Sequence, residues 1–120
     1  MAYNELLAER VRTFFIEKGI VFEEKKMFGG WCVMVDDKMC IGVIFHKKGQ
    51  VDALMCRVDP LLMDNLLENP ACLTMDFTGK AMRGFIFVIE DGYKSQKDLY
   101  QWCQLCLDYN PIAKKSAKKK

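Results

Sequence analysis

The stretch Trp31-Cys32-Val33-Met34-Val35-Asp36-Asp37-Lys38-Met39-Cys40-Ile41-Gly42-Val43-Ile44-Phe45 decides the fold. Two apolar runs flank a short polar turn, Asp36-Asp37-Lys38, which is the pattern of two antiparallel strands joined by a hairpin. The second run is apolar almost throughout. That marks a central strand with a helix over one face, and Gly42 inside it marks close packing or a bulge.

Working outward, residues 20–57 read as an antiparallel meander. Ile20-Val21-Phe22 enters it, with room for an extra short strand near 24–28. Lys47-Lys48-Gly49-Gln50 is a second turn, and Val51 to Val58 is the next strand. Upstream, residues 4–18 form a helix, with Asn4 as N-cap, Leu6, Leu7, Val11, Phe14 and Phe15 as its apolar stripe, and Gly19 as its stop. Downstream, Asp59-Pro60 opens a second helix whose apolar side is Leu61, Leu62, Leu66 and Leu67. Residues 71–83 are a connection, Gly84 to Glu90 a strand, and Asp91-Gly92 a turn. Ser95 caps the last helix, 96–109, in which Leu99, Trp102, Cys103, Cys106 and Leu107 repeat at helical spacing. Asn110-Pro111 ends it. The order α-β-β-β-α-β-α, without strict βα alternation, predicts an α+β domain: a two-layer antiparallel sheet with flanking helices.

The 120 residues suit one domain, expected over 1–112, followed by a disordered lysine-rich tail over 113–120. Net charge is +2, but Lys114, Lys115, Lys118, Lys119 and Lys120 lie in the tail, so residues 1–113 hold 13 basic and 16 acidic side chains, a net of −3. Only the tail therefore points toward nucleic acid. Its readings are a solvated tail, a sequence-blind nucleic-acid contact or a membrane-surface contact. No run approaches a membrane span, and the N-terminus lacks the pattern of a secretory signal, so the expected location is cytoplasmic. Six cysteines without a signal segment read as reduced thiols packed as small hydrophobes.

Cys103-x-x-Cys106 lies deep in a helix and on its apolar stripe, which favours core packing over a redox pair. Zinc would need two more ligands, so no metal and no cofactor are expected. His46, the lone histidine, reads as a turn residue with no partner, and no serine stands in a nucleophile context. The chain is not expected to be an enzyme. Gly29-Gly30 reads as a bulge or tight turn, or as a surface where a partner docks. The connection containing Asp76, Thr78, Gly79, Lys80 and Arg83 reads as a structured loop with exposed cations able to hold an anion. Arg57, Lys25 and Lys26 join it if the strands bring them to the same edge.

Met27-Phe28-Gly29-Gly30-Trp31, together with Met75-Asp76-Phe77-Thr78-Gly79-Lys80 closed by Met82-Arg83-Gly84, resembles the TfoX N-terminal domain family, over roughly residues 3–110. The resemblance implies a two-layer domain like the secretion-chaperone fold, often a homodimer, and a regulatory role rather than catalysis. The family is known for competence regulators that work alongside the cyclic-AMP receptor protein in switching on DNA-uptake genes. Those regulators usually carry a second, C-terminal domain, and residues 111–120 do not resemble one, so a stand-alone form is expected. The expected function is a regulatory or adaptor domain in transcription regulation acting through a protein partner. The alternative is a weak electrostatic nucleic-acid binder using the lysine tail and the 78–84 loop. The candidate binding residues are Gly29, Gly30, Arg57, Asp76, Thr78, Gly79, Lys80 and Arg83, with the five tail lysines.

Overall fold

The computed structural model of the chain describes residues 3–27, 29–46, 49–74 and 83–113. Helix α1 (Glu5–Lys18) is capped as its sequence dictates: the Asn4 side chain accepts from the N–H groups of Leu6 and Leu7, and Gly19 ends the helix at φ 70°. Leu7, Val11, Phe14 and Phe15 are buried, each contributing roughly 1.5–3 kcal/mol relative to exposure. Leu6, expected on the same stripe, is exposed. At 3.6 residues per turn it lies about 140° round the helix from the centre of the buried side chains.

Six strands form one antiparallel sheet of order β1-β2-β3-β4-β6-β5. They are β1 (Glu23–Met27), β2 (Gly30–Val35), β3 (Lys38–His46), β4 (Val51–Arg57), β5 (Cys72–Thr74) and β6 (Phe85–Ile89). The short strand near 24–28 exists as β1, while Ile20-Val21-Phe22 precedes it outside the sheet. Its residues Glu23, Glu24, Lys25 and Lys26 are exposed, and charge on an edge strand discourages further strand addition. β3 is interior, as its apolar run implied. β5 was not anticipated within the 71–83 connection; three residues are too few for alternation to register.

The sheet buries both faces. Val33, Ile41, Val43, Leu54, Cys56, Ile86 and Val88 face the helices and join the main core with Val11, Phe15 and Leu99. Cys32, Met34, Met39, Ile44, Ala53, Met55 and Phe87 form a second cluster on the other face. The β2–β3 register slips from Val33↔Ile41 to Met34↔Met39, leaving Cys40 as an extra residue. This bulge breaks the alternation, so Cys40 and Ile41 both join the helix-side core while Met39 stays opposite. Gly42, next along, is packed so tightly that a Cβ would lie 2.7 Å from the Trp31 carbonyl oxygen.

The remaining helices lie on the main-core side. Asp59 caps a 3-10 turn over Pro60–Leu62, accepting from the Leu61 N–H, and α2 (Met63–Leu66) is one turn long. Met63 is its buried residue, while Leu61 is exposed. The sequence pattern had placed Leu61 inward, but the tighter 3-10 turn rotates it away from the core. Asp91-Gly92 belongs to a short helix, α3 (Glu90–Tyr93), rather than a turn. A Cβ at Gly92 would meet Val88 Cγ1 at 2.6 Å, so the glycine lets α3 close onto β6. Helix α4 (Gln96–Tyr109) has the predicted limits, with Ser95 Oγ accepting from the Asp98 N–H. Ala113, expected with the tail, is buried beside it.

Candidate functional site

Gly30 pairs with Met27 where β1 and β2 join, and Gly29 lies at φ 77°. A side chain at Gly30 would collide with the Val43 carbonyl oxygen. The glycine pair is therefore a tight turn pressed against β3. It lies level with Ile44 and Ala53, toward the end of the sheet that also holds His46.

Arg57 and Arg83 sit toward the opposite end. Arg57 pairs with Phe85 and its guanidinium lies 5.4 Å from the Phe85 ring centroid, within cation–π range. The Val58 N–H bonds to the Gly84 carbonyl at 2.8 Å, which sets Arg83 beside the end of β4. Arg83 is exposed. The register places Arg57 about four residues, or 13 Å, along the sheet from Gly30, and two strands across. Among the described candidates, Gly29 and Gly30 therefore lie apart from Arg57 and Arg83. Lys25 and Lys26 occupy the β1 edge, three strands from Arg57. Asp76, Thr78, Gly79, Lys80 and the five tail lysines lie outside the described residues.

All six cysteines are free and buried. Cys103 and Cys106 face the sheet from α4 and meet Cys56 of β4 and the bulged Cys40, so four thiols share one pocket of the core. Burial pushes all four up from the usual thiol range, and a thiol hydrogen bond from Cys106 to Cys56 holds Cys106 up further. Cys32 is pushed to about 12 and Cys72 to about 11, again by burial. Protonated, buried thiols are poor nucleophiles and poor metal ligands. Among the described residues no three His, Cys, Asp or Glu side chains are placed to hold a metal ion.

His46 is partnered after all. Its Nδ1 accepts from the Gly49 N–H at 3.0 Å and its ring packs edge-on against Phe87 at 4.8 Å. The imidazole thus braces the β3–β4 turn.

Sequence reasoning missed a groove of about 490 Å³ between α2 and α4. Asn65, Leu66 and Asn69 form one wall, and Asp98, Trp102 and Leu105 the other. The Trp102 indole N–H donates to the Gly92 carbonyl at 2.9 Å, which ties α3 to α4 and closes one end. Trp102 was legible as an apolar-stripe residue; that one side of its ring would line a groove depends on α2 standing off from α4.

No helix among the described residues is long and apolar enough to cross a membrane. A comparison with curated proteins finds no match. The profile described as the TfoX N-terminal domain matches residues 19–109, which span the whole sheet and all of α4. The chain belongs to the TfoX N-terminal domain family.

Proposed function

We propose that this domain is a cytoplasmic regulatory adaptor in transcription regulation, of the kind found in competence regulators, working as a homodimer through contact with another protein and without catalysis. The observation that carries the reading is one end of the domain. The Ile41↔Cys56 register, extended three residues, sets Lys38 level with Asp59. Lys38 holds the Asn110 carbonyl at the end of α4. Leu61, 83% exposed, follows Asp59 two residues on, Ile112, 69% exposed, follows Asn110 two residues on, and Arg57 and Arg83 lie at the same end of β4. Large apolar side chains left in water beside cations form a mixed surface suited to a protein partner.

The test is sedimentation velocity of the full chain, alone and with cyclic-AMP receptor protein on promoter DNA. Dimerisation, or entry into the larger complex that Leu61→Ser and Ile112→Ser weaken, supports the reading. A monomer that joins neither removes it.

A second reading is electrostatic nucleic-acid binding. It is favoured by Arg83, exposed beside Arg57, and uses Lys80 and the tail lysines as well. It predicts log K falling by about 0.9 per duplex phosphate neutralised as log salt rises. Absence of DNA binding at low salt removes it.

A further inference from the structure

The segments that frame the groove between α2 and α4 are acidic. Asp64, Glu68, Glu90, Asp91, Asp98 and Asp108 lie on the segment holding α2, on α3 and on α4, against Lys94 and Lys97 and the Arg10 guanidinium, which donates to the Tyr93 and Lys94 carbonyls, a net of 3 − 6 = −3. Asp91 and Asp98 line the groove itself. Their carboxylates make no hydrogen bond or ion pair with the described residues. Leu66 on one wall and Trp102 and Leu105 on the other supply the groove's apolar lining. An occupant of matching chemistry carries several ammonium groups on long methylene stems: the stems lie on the indole and leucines, and the charges meet the carboxylates.

The chain carries such a segment. Residues 114–120 hold five lysines and begin directly after Ala113, which is anchored to the end of α4 by its N–H bonds to the Tyr109 and Asn110 carbonyls at 3.0 and 3.2 Å. Leu105, which lines the groove, lies about 12 Å back along the axis of α4 from Ala113, and Asp98 about 10 Å further, at 1.5 Å per residue. Seven residues reach about 24 Å when extended. Residues 114–120 can therefore reach the far end of the groove. We propose that the lysine tail folds back in cis and docks in the acidic groove between α2 and α4, with lysine stems over Trp102 and their ammonium groups against Asp91 and Asp98. The docked tail is then withheld from polyanions, which must compete with the groove to engage it. The contact does not depend on which partner the domain serves.

The test uses assigned amide and indole NMR signals of the full chain. At low salt, replacing all five tail lysines by glutamine is expected to shift the signals of Asp91, Asp98, Gln101 and the Trp102 indole N–H. Those shifts are expected to vanish at about 1 M salt, where the screening length is about 3 Å. They are also expected to vanish in an Asp91→Asn, Asp98→Asn background, but to persist when the same two charges are removed at Glu5 and Glu9 (E5Q, E9Q). Shifts confined to residues near 110–113, or equal shifts in the D91N/D98N background, overturn the proposal. Shifts that weaken on dilution of the protein also overturn it, because the tail then docks into a second copy.

Discussion

Lys38 Nζ donates to the Asn110 carbonyl oxygen at 3.0 Å, although the two residues are 72 apart in the chain and both are buried. Asn110 returns the contact, its Nδ2 donating to the Val35 carbonyl at 3.2 Å. The pair clamps the β2–β3 hairpin to the end of α4, and a cation at a helix C-terminus is stabilised by the helix dipole. The Lys38–Asp36 contact, at 3.6 Å with Asp36 largely exposed, adds little.

Replacing Lys38 with methionine keeps the stem and removes the donor. The buried Asn110 carbonyl then loses its charged partner, at a cost of about 1–3 kcal/mol. The urea midpoint of Lys38→Met checks this, and Asn110→Ala, which keeps that carbonyl and removes only the Nδ2 bond to Val35, measures the second bond separately. An unchanged midpoint in Lys38→Met would show that the charged donor contributes nothing to stability.

Arg12, Glu24 and Trp31 form a second clamp, between α1 and the β1 edge. Arg12 donates twice to Glu24 at 2.9 Å, and the Trp31 indole N–H donates to the same carboxylate at 3.0 Å. The Arg12 hydrogen bond is the main cause holding the Glu24 carboxyl below its ordinary range. A depressed carboxylate contributes stability above its unfolded pKa and loses it as pH falls through the folded one. Both Arg12 and Glu24 are about a third exposed, so solvent screening limits the term to about 1 kcal/mol. Glu24→Gln is expected to be less stable than the parent at neutral pH, with the gap closing in acid. A gap independent of pH between 2 and 7, by urea titration, would contradict this (the range is about that over which carboxylates titrate).

The thiols behave oppositely. Every cysteine whose value is shifted is shifted upward, so the folded state keeps protons that the unfolded chain releases. Stability is expected to hold below the ordinary thiol value, about 8.5, and to fall as pH rises above it. Native protein is expected to resist thiol-reactive reagents until denaturant opens it. Cys106→Ser, which buries a hydroxyl in an apolar site, is expected to cost about 1–3 kcal/mol. Rapid labelling of Cys103 or Cys106 in the native state would show that the α4 thiols are accessible.

Two glycines separate crowding from backbone conformation. Gly42→Ala forces a Cβ to within 2.7 Å of a backbone oxygen in the middle of the sheet, at a cost of about 1–3 kcal/mol or more. Gly29 faces open space but sits at φ 77°, so Gly29→Ala is expected to cost about 1–2 kcal/mol from the left-handed backbone alone. Thermal unfolding distinguishes the two. Gly29→Asn is expected to recover part of its loss, and no asparagine effect is expected at Gly42.

The contact by which Lys38 and Asn110 hold the ends of distant elements together is invisible in the chain, whereas the elements themselves were legible. Asn4, Gly19, Asp59 and Ser95 mark helix ends because their chemistry acts within one turn of chain. The apolar run of β3 marked an interior strand because burial on both faces demands it. The Met-Phe-Gly-Gly and Met-Asp-Phe-Thr-Gly-Lys segments marked the family. What only the tertiary structure decided is whatever depends on two elements at once. The bulge at Cys40 turns a thiol to the helix side because β2 and β3 pair with unequal residue counts. Leu61 is exposed because a 3-10 turn forms between β4 and α2. Gly30 and Arg57 lie apart because β2 and β4 run on either side of β3. The groove is lined from the α2 segment and from α4 together, which no single stretch of sequence contains. Local signals report conformations stabilised by near neighbours in sequence; clusters and grooves arise from long-range packing, which no short window encodes.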